Sequence, residues 1–219
     1  MSNIILILGT SGSGKSTSTR NLPSEETFYI NVLDKPLPFR GYKKKYNEGN
    51  KNYYATDDYA KIIAFIRAVN ERRPEIKNIV IDDFNFVLSN EYMRRARENG
   101  FTKFTEMGIH TFDIVEELKK LREDLFCFIM SHTEADHEGV IKPQSVGKMV
   151  PNKVSIEGRI TTVFHARVIG GEFKFLTQFD GLYSAKTPMG LFSDLYIDND
   201  LQYVKEQMHA YFNEDGETE

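Results

Sequence analysis

The sequence predicts a single α/β domain built on a mainly parallel sheet, and three observations carry that expectation. Short apolar runs lack polar alternation, stretches with helical spacing lie between them, and a glycine-rich loop follows the first run at once. That first run, Ile4-Ile5-Leu6-Ile7-Leu8, suits a strand covered on both faces. Gly9-Thr10-Ser11-Gly12-Ser13-Gly14 comes next, then a helix-compatible stretch ending before Pro23. Residues 27–33 (TFYINVL) form a second β-rich run. Thr56 is placed to cap a helix whose Ile62, Ile63, Phe65, Ile66 and Val69 make one apolar stripe, closed by Pro74. Residues 78–84 (NIVIDDF) read as a third strand, 86–98 and 111–121 as helices, and 125–131 (LFCFIMS) as a fourth strand that buries Cys127. Beyond His132 the pattern changes. Residues 163–169 and 172–179 flank Gly170-Gly171, a pair suited to the positive φ angles of a tight turn, which predicts a C-terminal β-hairpin extension. Leu201, Val204, Met208 and Tyr211 mark a last amphipathic helix. Residues 1–212 are therefore read as one domain and 213–219 as an acidic, disordered tail.

Composition narrows the function classes. The 219 residues suffice for one full core, and 28 Lys plus Arg against 32 Asp plus Glu gives a net charge of -4, which excludes a cationic chain that coats nucleic acid indiscriminately. A single cysteine excludes an intrachain disulfide framework and any CxxC metal site. Ile4 to Leu8 is too short for the core of a signal peptide, and no run approaches the roughly 20 apolar residues that cross a bilayer. The expectation is a soluble, cytoplasmic chain with no membrane partner.

The glycine-rich loop carries the chemistry. Gly9-Thr10-Ser11-Gly12-Ser13-Gly14-Lys15-Ser16 matches G-x-x-x-x-G-K-[ST], the P-loop pattern, between a strand and a helix-compatible stretch. Glycines let backbone N–H groups close around phosphates, Lys15 neutralises the β and γ oxygens of ATP, and the Ser16 hydroxyl ligates Mg²⁺. Thr17 completes the nucleotide-binding set, and a helix starting near Lys15 would turn its positive end to the same anion. Ile79-Val80-Ile81-Asp82-Asp83 reads as a Walker B strand, in which Asp82 is the second metal-side carboxylate, orienting water on Mg²⁺ opposite Ser16; a strand-end capping carboxylate is the competing reading. Asp83 is either the group that polarises the attacking water or an ordinary helix N-terminal acid. His132, at the end of the fourth strand, is either a γ-phosphate sensor or a loop histidine. The remaining histidines, His110, His137, His165 and His209, show no metal spacing.

The chain resembles the phage RecA-like, AAA-type NTPases encoded near single-strand annealing proteins. The resemblance rests on GTSGSGKST, TFYINVLDKPLPF, NIVIDDF, the strand ending in Ser131-His132, VGKMVPNKVSIEG and AKTPMGLF, and it spans nearly the whole chain. It implies a RecA-like core, Mg-dependent ATP binding and hydrolysis, homo-oligomerisation, and a role in phage DNA recombination or replication in the host cytoplasm. In RecA-like ATPases the catalytic acid stands just past the second strand. Asp34 occupies that place here, where relatives often carry Glu, so Asp34 competes with Asp83 for the role.

A nucleic-acid partner has separate support. Residues 34–51 carry a net +4, with Arg40, Lys43, Lys44 and Lys45 interleaved with Phe39, Tyr42 and Tyr46, a combination suited to a single strand's phosphates and bases. Local packing of the tyrosines is the competing reading. Residues 142–153, with Lys148 and Lys153, form a second candidate DNA surface. A neighbouring subunit's cation commonly completes RecA-type sites, and Lys186, Arg159 and Lys153 are the candidates. The expected function is an ATPase acting with single-stranded DNA or a phage annealing protein. A P-loop nucleotide or small-molecule kinase, motivated by the short chain and by Arg94-Arg95-Arg97, and a non-hydrolysing ATP-dependent scaffold remain as alternatives.

Overall fold

The computed structural model describes residues 2–144 and 156–214. Ten strands and five α-helices are present among them: β1 (Asn3–Leu8), β2 (Thr27–Asn31), α1 (Tyr42–Lys45), β3 (Tyr53–Ala55), α2 (Tyr59–Arg72), β4 (Asn78–Asp82), α3 (Asn85–Arg94), α4 (Thr102–Lys119), β5 (Phe126–Ser131), β6 (Thr133–Ala135), β7 (Ile141–Pro143), β8 (Thr162–Ile169), β9 (Glu172–Leu176), β10 (Tyr196–Asp198) and α5 (Leu201–Glu214).

Eight of the strands form one sheet in the order β10-β9-β8-β1-β5-β4-β2-β3. Every pairing from β8 to β3 is parallel, and β9 alone runs against the rest, pairing antiparallel with both β8 and β10. The fold is therefore α/β with a mostly parallel central sheet. The unbroken apolar runs follow from burial on both faces. Leu6, Leu8, Ile79, Ile81, Cys127 and Ile129 pack on one side with Ile62, Ile66 and Val69 of α2 and Ile114, Val115 and Leu118 of α4. Ile5, Ile7, Val80, Phe126, Phe128 and Met130 point to the other side, where Leu201, Val204 and Met208 of α5 close the core.

Four expectations change. The hairpin forms, with Ile169 opposite Glu172 and both Gly170 and Gly171 at positive φ (59° and 87°), yet it is no appendage, because β8 pairs in parallel with β1 from Ile5↔Thr162 to Leu8↔His165. The stretch after the glycine-rich loop is a single 3₁₀ turn, Ser16–Thr19. The hydroxyls of Ser18 and Thr19 donate to the carbonyls of Lys15 (2.5 Å) and Ser16 (2.8 Å), so local side-chain bonds compete with a regular helix and remove most of the expected dipole. The cap of α2 is Asp58, which accepts from the N–H groups of Ala60 (2.9 Å) and Lys61 (3.3 Å), while Thr56 accepts from the N–H of Asp58 (3.2 Å). Asn213 and Glu214 of the expected tail end α5, and residues 215–219 lie outside the described residues.

Candidate functional site: a cleft at the C-terminal edge of the sheet

Parallel pairing brings the ends of β1, β5, β4 and β2 to one edge, with Leu8 beside Ser131 and Asn31 beside Asp82. Loops leaving those ends, together with Phe173 of the hairpin, enclose a cleft of about 240 Å³, lined by Ser11, Gly12, Gly14, Lys15, Ser16, Thr17, Lys35, Pro38, Asp83, His132 and Phe173. Within the glycine-rich loop, Gly12 and Gly14 stand at φ 78° and 95°, where side chains are disfavoured. A Cβ on Gly14 would also lie 2.6 Å from the Phe173 ring, and one on Gly9 would lie 2.4 Å from Ser13 Oγ.

Lys15 is buried and folds back over the loop, donating to the carbonyls of Gly9 (2.8 Å) and Thr10 (2.9 Å). Burial pulls its pKa down to about 8; Asp82 and Asp83 oppose that shift, and the nearby Lys35 adds to it. Asp82, 3% exposed, accepts from Tyr29 Oη (2.7 Å) and from the Asp83 N–H (3.0 Å). Burial, followed by the charge of Asp83, raises its pKa, and bonds from Tyr29 and Ser16 with the charge of Lys15 moderate the rise. Ser16 and Asp82 thus face one another across the loop, a hard-oxygen donor pair of the kind Mg²⁺ takes. Among the described residues no group of three or more His, Cys, Asp or Glu side chains is arranged to hold a metal, so an ion here would draw its other ligands from phosphate oxygens and water.

Asp83 sits at φ 60°, a conformation about 1 kcal/mol or more above the ordinary regions for a non-glycine residue. The bend separates the two neighbouring carboxylates: Asp82 turns into the core, and Asp83 faces the cleft. There Asp83 meets Lys35 Nζ at 2.7 Å and His132 Nε2 at 3.2 Å. Burial works against its charge, but the bonds from His132 and Lys35 outweigh it and hold the carboxyl below the usual range. His132 is fixed in turn by its N–H bond to Asn85 Oδ1 (3.1 Å) and by the edge of Phe86, 5.7 Å away between centroids.

Lys35 belongs to the site, although the sequence suggests only a member of a basic patch. The one local sign is its position directly after Asp34 at the end of a strand. Asp34, with φ 51°, is exposed and accepts from Tyr53 Oη (3.1 Å), and it does not line the cleft. Arg40, Lys43, Lys44 and Lys45 are exposed, and Lys45 donates to the Arg20 carbonyl (3.0 Å). Their aromatic neighbours turn inward: Tyr46 is 3% exposed against Tyr29, and Phe39 and Tyr42 pack half-buried beside it. The expected base platforms are thus largely core, and the cations alone remain open. Arg159 pairs with Glu116 (3.1 Å) and lies 4.3 Å over the Phe112 ring, while the Lys186 backbone bonds to Val163. Arg94 pairs with Asp57, and Arg95 with Glu91, Glu98 and Glu106. Lys148 and Lys153 lie outside the described residues.

A second cavity, about 250 Å³, flanks the same loop between Thr10–Ser13 and His165–Val168 with Tyr183. Arg167, which lines it, is held by Asp180 (3.2 Å), Tyr196 Oη (2.8 Å) and the Tyr183 ring. His165 is 1% exposed, and its Nδ1 has no hydrogen-bond partner among the described residues.

Compared with protein-family models and with curated proteins, the chain matches none. Its class is defined by the fold and the site: an α/β chain whose glycine-rich loop, buried lysine and paired carboxylates converge at the C-terminal edge of a parallel sheet. Among the described residues no helix is long and apolar enough to cross a membrane.

Proposed function

We propose that this chain is a Mg-dependent P-loop ATPase of the RecA-like type, working with single-stranded DNA or an annealing partner in phage recombination. The observation that carries the reading is the convergence of Lys15, Ser16, Asp82, Asp83 and His132, with β5 interposed between the strand that precedes the P-loop and the Walker B strand. That order puts His132 beside the loop and Asp83 at once, as a sensor requires.

On this reading Lys15 and the loop N–H groups bind the β and γ phosphates, and Ser16 and Asp82 would hold the Mg²⁺ ion. When bound, Mg²⁺ neutralises phosphate charge as it develops. Asp83 accepts a proton from the water whose oxygen forms the new bond to the terminal phosphorus. The bond from that phosphorus to the bridging oxygen breaks, and its electron pair leaves with ADP. His132 keeps the Asp83 carboxylate oriented and ionised.

Of the Arg94-Arg95-Arg97 cluster behind the kinase alternative, Arg94 and Arg95 are engaged in ion pairs. DNA as a partner is supported by the open cations of residues 40–45 and by the sequence resemblance. Lys15→Ala should abolish nucleotide binding while the far-ultraviolet circular dichroism stays that of the parent; unchanged ATP hydrolysis would sink the assignment. Turnover with single-stranded DNA should rise, and the rise should fade across a salt series as phosphate contacts are screened. Tight binding without turnover in every condition would instead favour the scaffold.

A further inference from the structure

Sequence and fold together anchor the backbone of Lys35 and leave its ammonium movable. Asn31, 1% exposed at the end of β2, donates through Nδ2 to the Lys35 carbonyl (2.7 Å) and accepts from the Lys35 N–H (3.3 Å). The neighbouring Val32 N–H continues the ladder onto the Asp82 carbonyl (3.2 Å). Against that fixed base the side chain is 55% exposed, and its tip reaches into the cleft to Asp83 at 2.7 Å. The cleft therefore holds two ammonium groups, Lys15 at its floor and Lys35 at its wall, facing the same space.

We propose that Lys35 is an intrachain cation for the terminal phosphate: when a nucleoside triphosphate binds, Lys35 leaves Asp83 for the γ-phosphate, and the Asp83 carboxylate becomes free to act on water. This rests on the ATPase reading and adds to it a residue, a partner exchange and a cause for triphosphate preference. The exchange is downhill on electrostatic grounds. The half-exposed ammonium trades a single carboxylate charge for a phosphate chain that carries several charges in the same cleft. His132 remains on Asp83 after the exchange, so the carboxylate keeps its orientation. An intrachain cation also fits the placement of Arg159, whose guanidinium is held by Glu116 and Phe112 and does not line the cleft.

The test compares Lys35→Met and Lys35→Arg with the parent chain, reading displacement of a fluorescent nucleotide by ATP and by ADP, each with Mg²⁺, together with steady-state turnover. The parent should favour ATP over ADP. Lys35→Met should lose about tenfold or more in ATP affinity, hold ADP affinity within about twofold, and lower kcat by about 100-fold or more, as loss of a transition-state cation does. Lys35→Arg should recover part of both losses. Lys35→Met with the parent's ATP preference and kcat would overturn the proposal while leaving the P-loop reading intact. An equal fall in ATP and ADP affinity would also overturn it, since that marks general attraction and not contact with the terminal phosphate. A parent chain that binds neither nucleotide would overturn the ATPase reading and this proposal together. The Lys35 side chain is half-exposed at the cleft wall, so a thermal midpoint matching the parent is expected for both variants.

Discussion

Lys15 shows how one residue's burial becomes a measurable property of the site. Its ammonium is removed from water and satisfied by the carbonyls of Gly9 and Thr10, which support its charge less well than water or phosphate would, so its pKa falls to about 8. A lowered lysine pKa means that the free site sheds this proton as pH rises through about 8. Phosphate favours the charged form, so binding must restore the proton. Mg-ATP binding should therefore take up little proton at pH 7 and a growing fraction of one by pH 9. Calorimetry in buffers of different ionisation enthalpy reads that uptake directly. Uptake that stays flat across this range would mean Lys15 is fully charged before the ligand arrives. Lys15 and Ser16 are legible in the sequence because the loop pattern names them by spacing. Lys35 is not, because nothing in a run of basic residues says which one the chain turns inward; Asn31 decides that by bracing the backbone from the neighbouring strand.

At the scale of elements, legibility follows burial. β1, β2, β4 and β5 are covered on both faces and so leave unbroken apolar runs that the sequence displays. β3 and β10, three residues each at the sheet's two edges, gain their conformation from pairing with β2 and β9 and leave no run to read. The 3₁₀ turn after the loop is hidden for a related reason: Ser16 to Thr19 are helix-compatible in sequence, but their hydroxyls find closer carbonyl partners. The start of α2 offers a direct test of such local competition. Thr56 and Asp58 are both capping types, yet only the Asp58 carboxylate reaches N–H groups inside the helix. Asp58→Ala should therefore destabilise the fold by about 1 kcal/mol in chemical denaturation, and Thr56→Ala by a smaller amount. The reverse ranking would return the cap to Thr56.

The whole molecule joins the hairpin to the sheet through β8, and His165 records that junction as a pH dependence. It lies opposite Leu8 on β1, 1% exposed, with its ring edge against Tyr183 and its Nδ1 without a hydrogen-bond partner among the described residues. Burial, then the charge of Arg167, pulls its pKa down to about 4. The unfolded chain binds this proton at its ordinary pKa of about 6.5, so between about 6.5 and 4 the unfolded state carries more protons than the folded one. Stability from this group is thus complete above 6.5 and is lost as pH falls toward 4, by about 3 kcal/mol at most. Carboxylates held low, such as Asp180 by the N–H groups of Tyr183 and Leu182 and Glu117 by Arg67, add their losses mainly below that window. Asp82 works in the opposite sense, because burial raises its pKa and protonation relieves a buried charge. A difference between two chains cancels both contributions. Guanidinium unfolding of the parent and of His165→Asn at pH 7 and pH 4.5 should show the parent losing about 2 kcal/mol more than the variant over that interval, whatever their absolute stabilities. Equal losses would mean that the imidazole reaches water or an acid when the fold is intact, and that the seam between β8 and the glycine-rich loop is open to solvent.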